Sequence, residues 1–252
     1  MAECIPNIQM TGIIEDMCKI SKPFENFYTM EIPKLKGKPI CWIVSSGMAG
    51  CAVFPTEETQ KKYYIKLNLC EFLKLNKNKK YYLIAHEIGH LVQYAKGIPG
   101  LRFHPQKQEN ITNLLNSMIY DFSVNVKLKN YGIEIPFFCH EPPHMKPDFE
   151  LEYIFWYVYI RRYICLLDAR NKKEIQVCLA KYQDNHLVTI GDKILEIIND
   201  STLNDSNKSF RIDEIKYIIE KISVNLKEFF PSPYKCKPIV SQDKYTITIQ
   251  MG

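Results

Sequence analysis

The sequence predicts an α+β protein. A small N-terminal sheet is followed by a histidine-bearing helix and a second long helix, then by a mainly helical C-terminal half. Three observations predict this. Short runs rich in β-branched and aromatic residues fall before residue 70 and again at the C-terminal end. Apolar residues recur at helical spacing through most of 81–130 and 148–230. The stretch Tyr81–Ala95, YYLIAHEIGHLVQYA, is two-faced at that spacing and carries its polar residues in a fixed pattern.

Taken in order, residues 1–35 mix short apolar bits with turn residues, and Ile8–Ile20 reads as helical. Pro39–Ser46 (PICWIVSS) reads as a strand, Ser46–Gly50 as a turn and Cys51–Phe54 as the returning strand. Tyr63–Leu69 alternates and reads as a further strand, with a short segment Glu71–Leu75 leading to the histidine helix. Gly89 interrupts that helix at a cost of roughly 1 kcal/mol against Ala, which close packing of another element would explain. Gly97 stops it. Ile98–Pro105 reads as a loop and Gln106–Asn130 as one long helix ended by Gly132. Glu134–Pro147, with His140 and His144, is a proline-rich connection. Phe149–Leu167, Lys172–Tyr182, Leu187–Ile198 and Arg211–Phe230 read as helices, and Asp200–Ser209 as a polar loop. Tyr245–Gln250 is a terminal strand expected to pair with the N-terminal sheet. The expected division is 1–147 and 148–252.

The chain of 252 residues is long enough for a sizeable core, and 46 % apolar with 24 % charged residues is ordinary for a globular protein. Net charge is 33 − 28 = +5, with lysines spread along the chain. Runs such as Lys77-Asn78-Lys79-Lys80 read as solvated faces, so no nucleic-acid partner is expected. The N-terminal residues lack a basic segment followed by an apolar core. The most apolar later stretch, Tyr153–Leu167, is broken by Arg161 and Arg162. No membrane partner is expected, and the location is expected to be cytoplasmic. The nine cysteines form no C-x-x-C pair, and several lie in apolar runs, among them Cys165 and Cys178. They read as buried, reduced thiols.

Within Tyr81–Ala95, His86, Glu87 and His90 form H-E-x-x-H. Residues four apart on a helix sit about 40° apart around its axis, so both imidazoles reach one metal ion. Glu87 points about 100° away, placed to hold a metal-bound water. Two histidines with a carboxylate select Zn²⁺ as the default cofactor, though such ligands take other first-row ions. A strand preceding such a helix has two readings. It is an ordinary sheet strand, or it is the edge to which an extended peptide adds, as is common in zinc peptidases.

A catalytic zinc takes a third protein ligand and keeps one position open. A metzincin arrangement needs His six residues after His90, where Lys96 stands. A gluzincin arrangement would use Glu109, 109 − 90 = 19 residues on. Asp121, with Asn125 one turn later, is a further reading, and His104, His140 and His144 are others. In one continuous helix Glu109 and Asp121 are about 18 Å apart, so one at most is the ligand. Glu109 in a first turn serves the helix dipole. Asp121 sits mid-helix among Ile119, Tyr120, Phe122 and Val124, where an aspartate is rarely buried without a partner. Asp121 is therefore preferred.

HEIGH followed by a helix carrying NSMIYDFSVN resembles the metallopeptidases related to the von Willebrand factor A-like proteins of bacteria and archaea. Asp121, Phe122 and Asn125 match that family's D-aromatic-x-x-N pattern, and Asn116 stands one residue out of the register of its first Asn. The resemblance covers about Tyr63–Asn130. It implies a zincin-like core with Asp121 as ligand and Asn125 behind it, and it names no substrate. The expected activity is zinc-assisted hydrolysis of peptide bonds in a peptide or protein substrate. The metal polarises the scissile carbonyl and acidifies its water, and Glu87 is the general base. Tyr120, His140, His144 and Tyr157 are candidates for stabilising the oxyanion. Two other readings stand beside this one: a regulatory protease specific for one partner protein, and a non-catalytic binding protein whose metal site is closed by His104, His140 or His144. The sequence sets no oligomeric state.

Overall fold

The structure is a computed structural model. It describes residues 7–46, 50–53, 61–98, 100–104, 116–136, 142, 149–167, 169–199, 212–226, 238–242 and 246–251. The fold is α+β and mostly helical. Among the described residues, no helix is long and apolar enough to cross a membrane. The chain forms two compact units, Met1–Ile98 with Val124–Pro136, and Pro99–Ser123 with Phe137–Gly252.

The first unit opens with α1 (Asn7–Ile20) and α2 (Lys22–Glu31). Ser21 caps α2 by accepting from the Phe24 N–H, and Pro23 follows in the first turn, where its missing N–H costs nothing. A 3₁₀ turn, Ile32–Leu35, leads to a three-stranded sheet of β1 (Ile40–Val44), β2 (Gly50–Val53) and β3 (Tyr63–Leu67). Alternation along β3 buries Tyr63, Ile65 and Leu67 and turns Lys66 to water.

The strand order is β1-β3-β2. β3 runs parallel to β1, with Trp42 opposite Ile65, and antiparallel to β2, with Ala52 opposite the same Ile65. This corrects two expectations. The strands β1 and β2 do not form a hairpin with each other, because β3 inserts between them. For the same reason the strand preceding the histidine helix is not an edge: both of its sides are already paired. The edge nearest the helix belongs to β2, which packs on α4.

After the short α3 (Leu69–Lys74), Asn76 caps α4 (Lys77–Ala95) by accepting from the Lys79 N–H at 2.9 Å. α4 ends where expected, with Gly97 at φ +80°. It is more buried than a two-faced helix requires. Ile84, Ala85, Ile88, Leu91 and Val92 are fully buried, and His86, Glu87, Gly89 and Gln93 are buried with them. A helix α5 (Phe122–Asn130) belongs to the first unit from Val124 on and to the second at Phe122 and Ser123, and Gly132 at φ +82° follows it. α5 is tied to α2 by Glu31, which accepts from Tyr131 Oη at 2.9 Å and from Lys127 Nζ at 3.3 Å.

In the second unit, residues 100–104 form a strand, β4 (Gly100–His104), where a loop is expected. β4 pairs parallel with β6 (Thr246–Met251), which pairs antiparallel with β5 (Pro238–Gln242). The C-terminal strand therefore completes a second sheet, of order β4-β6-β5, rather than joining the N-terminal one. Helices α6 (Phe149–Tyr163), α7 (Ala169–Leu179), α8 (Asn185–Asn199) and α9 (Ile212–Leu226) match the expected helices to within a few residues. Gly191 of α8 lets Tyr157 of α6 approach so closely that a Cβ there would lie 2.6 Å from its ring. Residues 200–211 lie outside the described residues.

Two cysteine expectations are corrected. Cys178 is buried but disulfide-bonded. Cys165 is exposed, with its thiol donating to Arg162 O at 3.2 Å. An apolar run signals burial of its neighbours. It carries no information on what a given thiol meets.

Candidate metal centre

Four rings line one stripe of α4 at successive intervals of four residues: Tyr82, His86, His90 and Tyr94. The His86 and His90 rings stand 4.6 Å apart, nearly perpendicular. Tyr82 lies 5.2 Å from His86, and Tyr94 lies 6.4 Å from His90. The helix stacks them because residues i and i+4 share a face.

The hydrogen bonds of the two histidines fix their chemistry. His86 Nδ1 lies 3.0 Å from Asn125 Oδ1, and His90 Nδ1 lies 3.0 Å from Gln93 Oε1. An amide oxygen only accepts, so each Nδ1 carries a hydrogen toward its amide, and in the neutral tautomer this leaves the lone pair at Nε2. The two Nε2 atoms face each other at 3.1 Å. Two nitrogen lone pairs at that distance repel unless positive charge, a shared proton or a metal cation, lies between them. A metal cation can supply that charge, and bonds from Nδ1–H are the outer support that metal-binding histidines use.

Asn125 is wholly buried and sits on α5. The close approach of α5 to α4 depends on Gly89, where a Cβ would come within 2.5 Å of Val124 Cγ1. Gly89 is thus the packing glycine that its place in the motif suggests.

Asp121 stands one turn before Asn125, at the end of a π-helical turn, Ser117–Asp121, that runs directly into α5. One ligand atom each from His86, His90 and Asp121 lie within 4.8 Å of one another. Two imidazole nitrogens and one carboxylate oxygen are a donor set that suits a first-row divalent cation, so the residues present fit a metal without being specific to zinc. The π-turn takes one residue more than an α-turn, so Asn116 and Asp121, five apart, share a face.

Glu87 is buried at 6 % exposure, and its Oε2 accepts the Ala52 N–H at 2.6 Å. That N–H points away from β3, out of the edge of β2. In an antiparallel pair a residue's N–H and C=O point to the same side, so the Ala52 carbonyl lies along that edge as well.

The other candidates fare differently. Glu109, His140 and His144 lie outside the described residues, and His104 is the last residue of β4. Tyr120 is buried, and burial pushes its phenol well above the ordinary range. Tyr157 donates to Asp192 Oδ1 at 2.9 Å. Burial, and then that acceptor, push it up to about 12, so its hydroxyl is engaged by α8. Tyr159 is also held well above the ordinary range, by burial first and further by the charge of Asp121, against a bond from Tyr163 that lowers it.

Gln93, Ala52, Tyr82 and Tyr94 escape a reading of the motif alone. The two tyrosines were findable, since they lie four residues either side of the histidines. Gln93, three residues past His90, was findable in the same way. Ala52 carries no local signal.

Comparison with protein-family models, with curated proteins and with solved structures gives no match to this chain.

Proposed function

We propose that the protein is a zinc-dependent peptidase with His86, His90 and Asp121 as metal ligands and Glu87 as general base. The observation that carries this reading is the convergence of the two Nε2 atoms at 3.1 Å while both Nδ1 atoms face amide oxygens. It is supported by Asp121 within reach of the same point and by a buried carboxylate next to the first histidine. The resemblance of HEIGH and DFSVN to a metallopeptidase family points the same way.

When bound, the metal supplies an electrophile that polarises a carbonyl and acidifies water. The chain's own residues do the rest. Asn125 and Gln93 hold the two imidazoles in the tautomer that binds metal. Ala52 N–H anchors one oxygen of Glu87, leaving Oε1 to take a proton from water and return it to the leaving amine.

The test is hydrolysis of a broad peptide mixture by the zinc-loaded protein, beside Glu87→Gln. The expected result is cleavage by the native chain and a loss of about 10²–10⁴-fold in Glu87→Gln with zinc retained. Equal cleavage by both would overturn the role of Glu87. No cleavage by a zinc-loaded native chain would overturn the peptidase reading.

A further inference from the structure

We infer that Arg162 is a positioning residue: it clamps the π-turn Ser117–Asp121 and so sets the direction in which Asp121 presents its carboxylate. This rests on the reading of Asp121 as a metal ligand.

The backbone at Phe122 departs from α-helical hydrogen bonding. In an α-helix the Phe122 N–H would go to Met118 O, four residues back. Here it reaches Ser117 O, five residues back, and also Ile119 O. The Phe122 N–H that an α-helix would give to Met118 O thus goes elsewhere, at a residue that is fully buried. Arg162 Nη1 donates to that oxygen.

The same guanidinium lies over the Phe122 ring, 3.8 Å from its centroid. Arg162 therefore grips the residues three before and one after Asp121. Phe122 is fixed in turn by Tyr163, edge-on at 6.0 Å.

Placing an arginine there is expensive. Arg162 is 4 % exposed, and burial lowers its pKa to about 10. A Met or Leu would fill the space without that cost, and in a regular α-helix the Phe122 N–H would occupy Met118 O. The turn is what the arginine serves. Its added residue rotates Asp121 relative to everything N-terminal of it and gathers Asn116 onto the same face. π-turns of this kind occur frequently at functional sites.

The experiment uses the full chain and zinc alone as the probe. Zinc affinity is measured by calorimetry for the native protein, Arg162→Met, Asp121→Asn and the double variant. Hydrogen exchange is followed over 117–122. Arg162→Met is expected to weaken zinc binding about 10-fold, to cause no further loss on Asp121→Asn, and to speed exchange over 117–122. Unchanged affinity in Arg162→Met, or the same loss on Asp121→Asn as on the native chain, would overturn the inference, since a merely structural residue acts without regard to Asp121.

Should Arg162→Met not fold, Arg162→Lys carries the same readouts. It keeps a donor for Met118 O and loses the stack on Phe122, so a smaller loss, again absent on Asp121→Asn, is expected. A native chain that binds no zinc would remove the metal reading and leave the clamp to be decided by exchange. Unaltered exchange over 117–122 in Arg162→Met or Arg162→Lys would then overturn it.

Discussion

Gly89 and Val124 are in a contact that no side chain at position 89 could share: a Cβ there would lie 2.5 Å from Val124 Cγ1 and 3.3 Å from Cγ2. Two effects oppose each other in Gly89→Ala. Helix propensity favours Ala by roughly 1 kcal/mol. Against that, a β-branched valine is stiff and cannot swing aside, and overpacking costs about 1–3 kcal/mol. We expect a net loss of up to about 2 kcal/mol in urea denaturation, and a double variant Gly89→Ala/Val124→Ala less destabilised than the sum of the two single ones. Additive losses would mean that the contact is not the reason for the glycine.

The amides behind the histidines give a second prediction. Gln93→Ala and Asn125→Ala each remove the acceptor that fixes an Nδ1–H. Zinc affinity should fall about 10–100-fold in each. Asn125 is wholly buried and Gln93 nearly so, so thermal unfolding should be followed alongside to separate weakened folding from weakened binding. Undiminished affinity in a folded variant would show that the tautomers are set in some other way.

Acid should unfold the protein in part through Glu31. Burial alone would raise its pKa. The bond from Lys34 at 2.6 Å, the charge of Lys127 and the bond from Tyr131 outweigh burial and leave it below its ordinary value of 4.5. Burial keeps Lys127 below its own ordinary value in spite of Glu31, so the favourable balance lies with the carboxylate. A depressed carboxylate contributes stability that is present above its unfolded pKa and lost as pH falls through its folded pKa. Glu31→Gln should therefore cost about 2–3 kcal/mol at neutral pH and show a shallower fall in stability below pH 4.5. A parallel fall in both proteins would contradict this.

Tyr157 separates a structural hydroxyl from a catalytic one. Its bond to Asp192 ties α6 to α8, beside the close approach at Gly191. Tyr157→Phe should lower stability by about 1 kcal/mol and leave the rate constant for hydrolysis unchanged. A fall in kcat with stability intact would return it to the list of oxyanion candidates.

How much of this was legible in the sequence can be argued residue by residue. The pattern of His86, Glu87 and His90, the stop at Gly97 and the need for a close neighbour at Gly89 follow from helical geometry, which is local. The helices after residue 148 are legible for the same reason. The order β1-β3-β2 was not, because strand pairing is a long-range choice: Tyr63–Leu67 looks the same whether it lies at an edge or in the centre. Residues 100–104 read as a loop, since Gly100 and the flanking prolines signal turns while their partner, β6, is more than a hundred residues away. The π-turn was invisible because apolar spacing over 116–130 fits an uninterrupted helix about as well.

The most direct test of the central claim is the zinc content of the purified and reconstituted protein, native beside Asp121→Ala and Glu109→Ala. The account predicts about one zinc per chain in the native protein and in Glu109→Ala, with loss in Asp121→Ala. Absence of zinc from the reconstituted native protein, or its loss in Glu109→Ala with retention in Asp121→Ala, would contradict it.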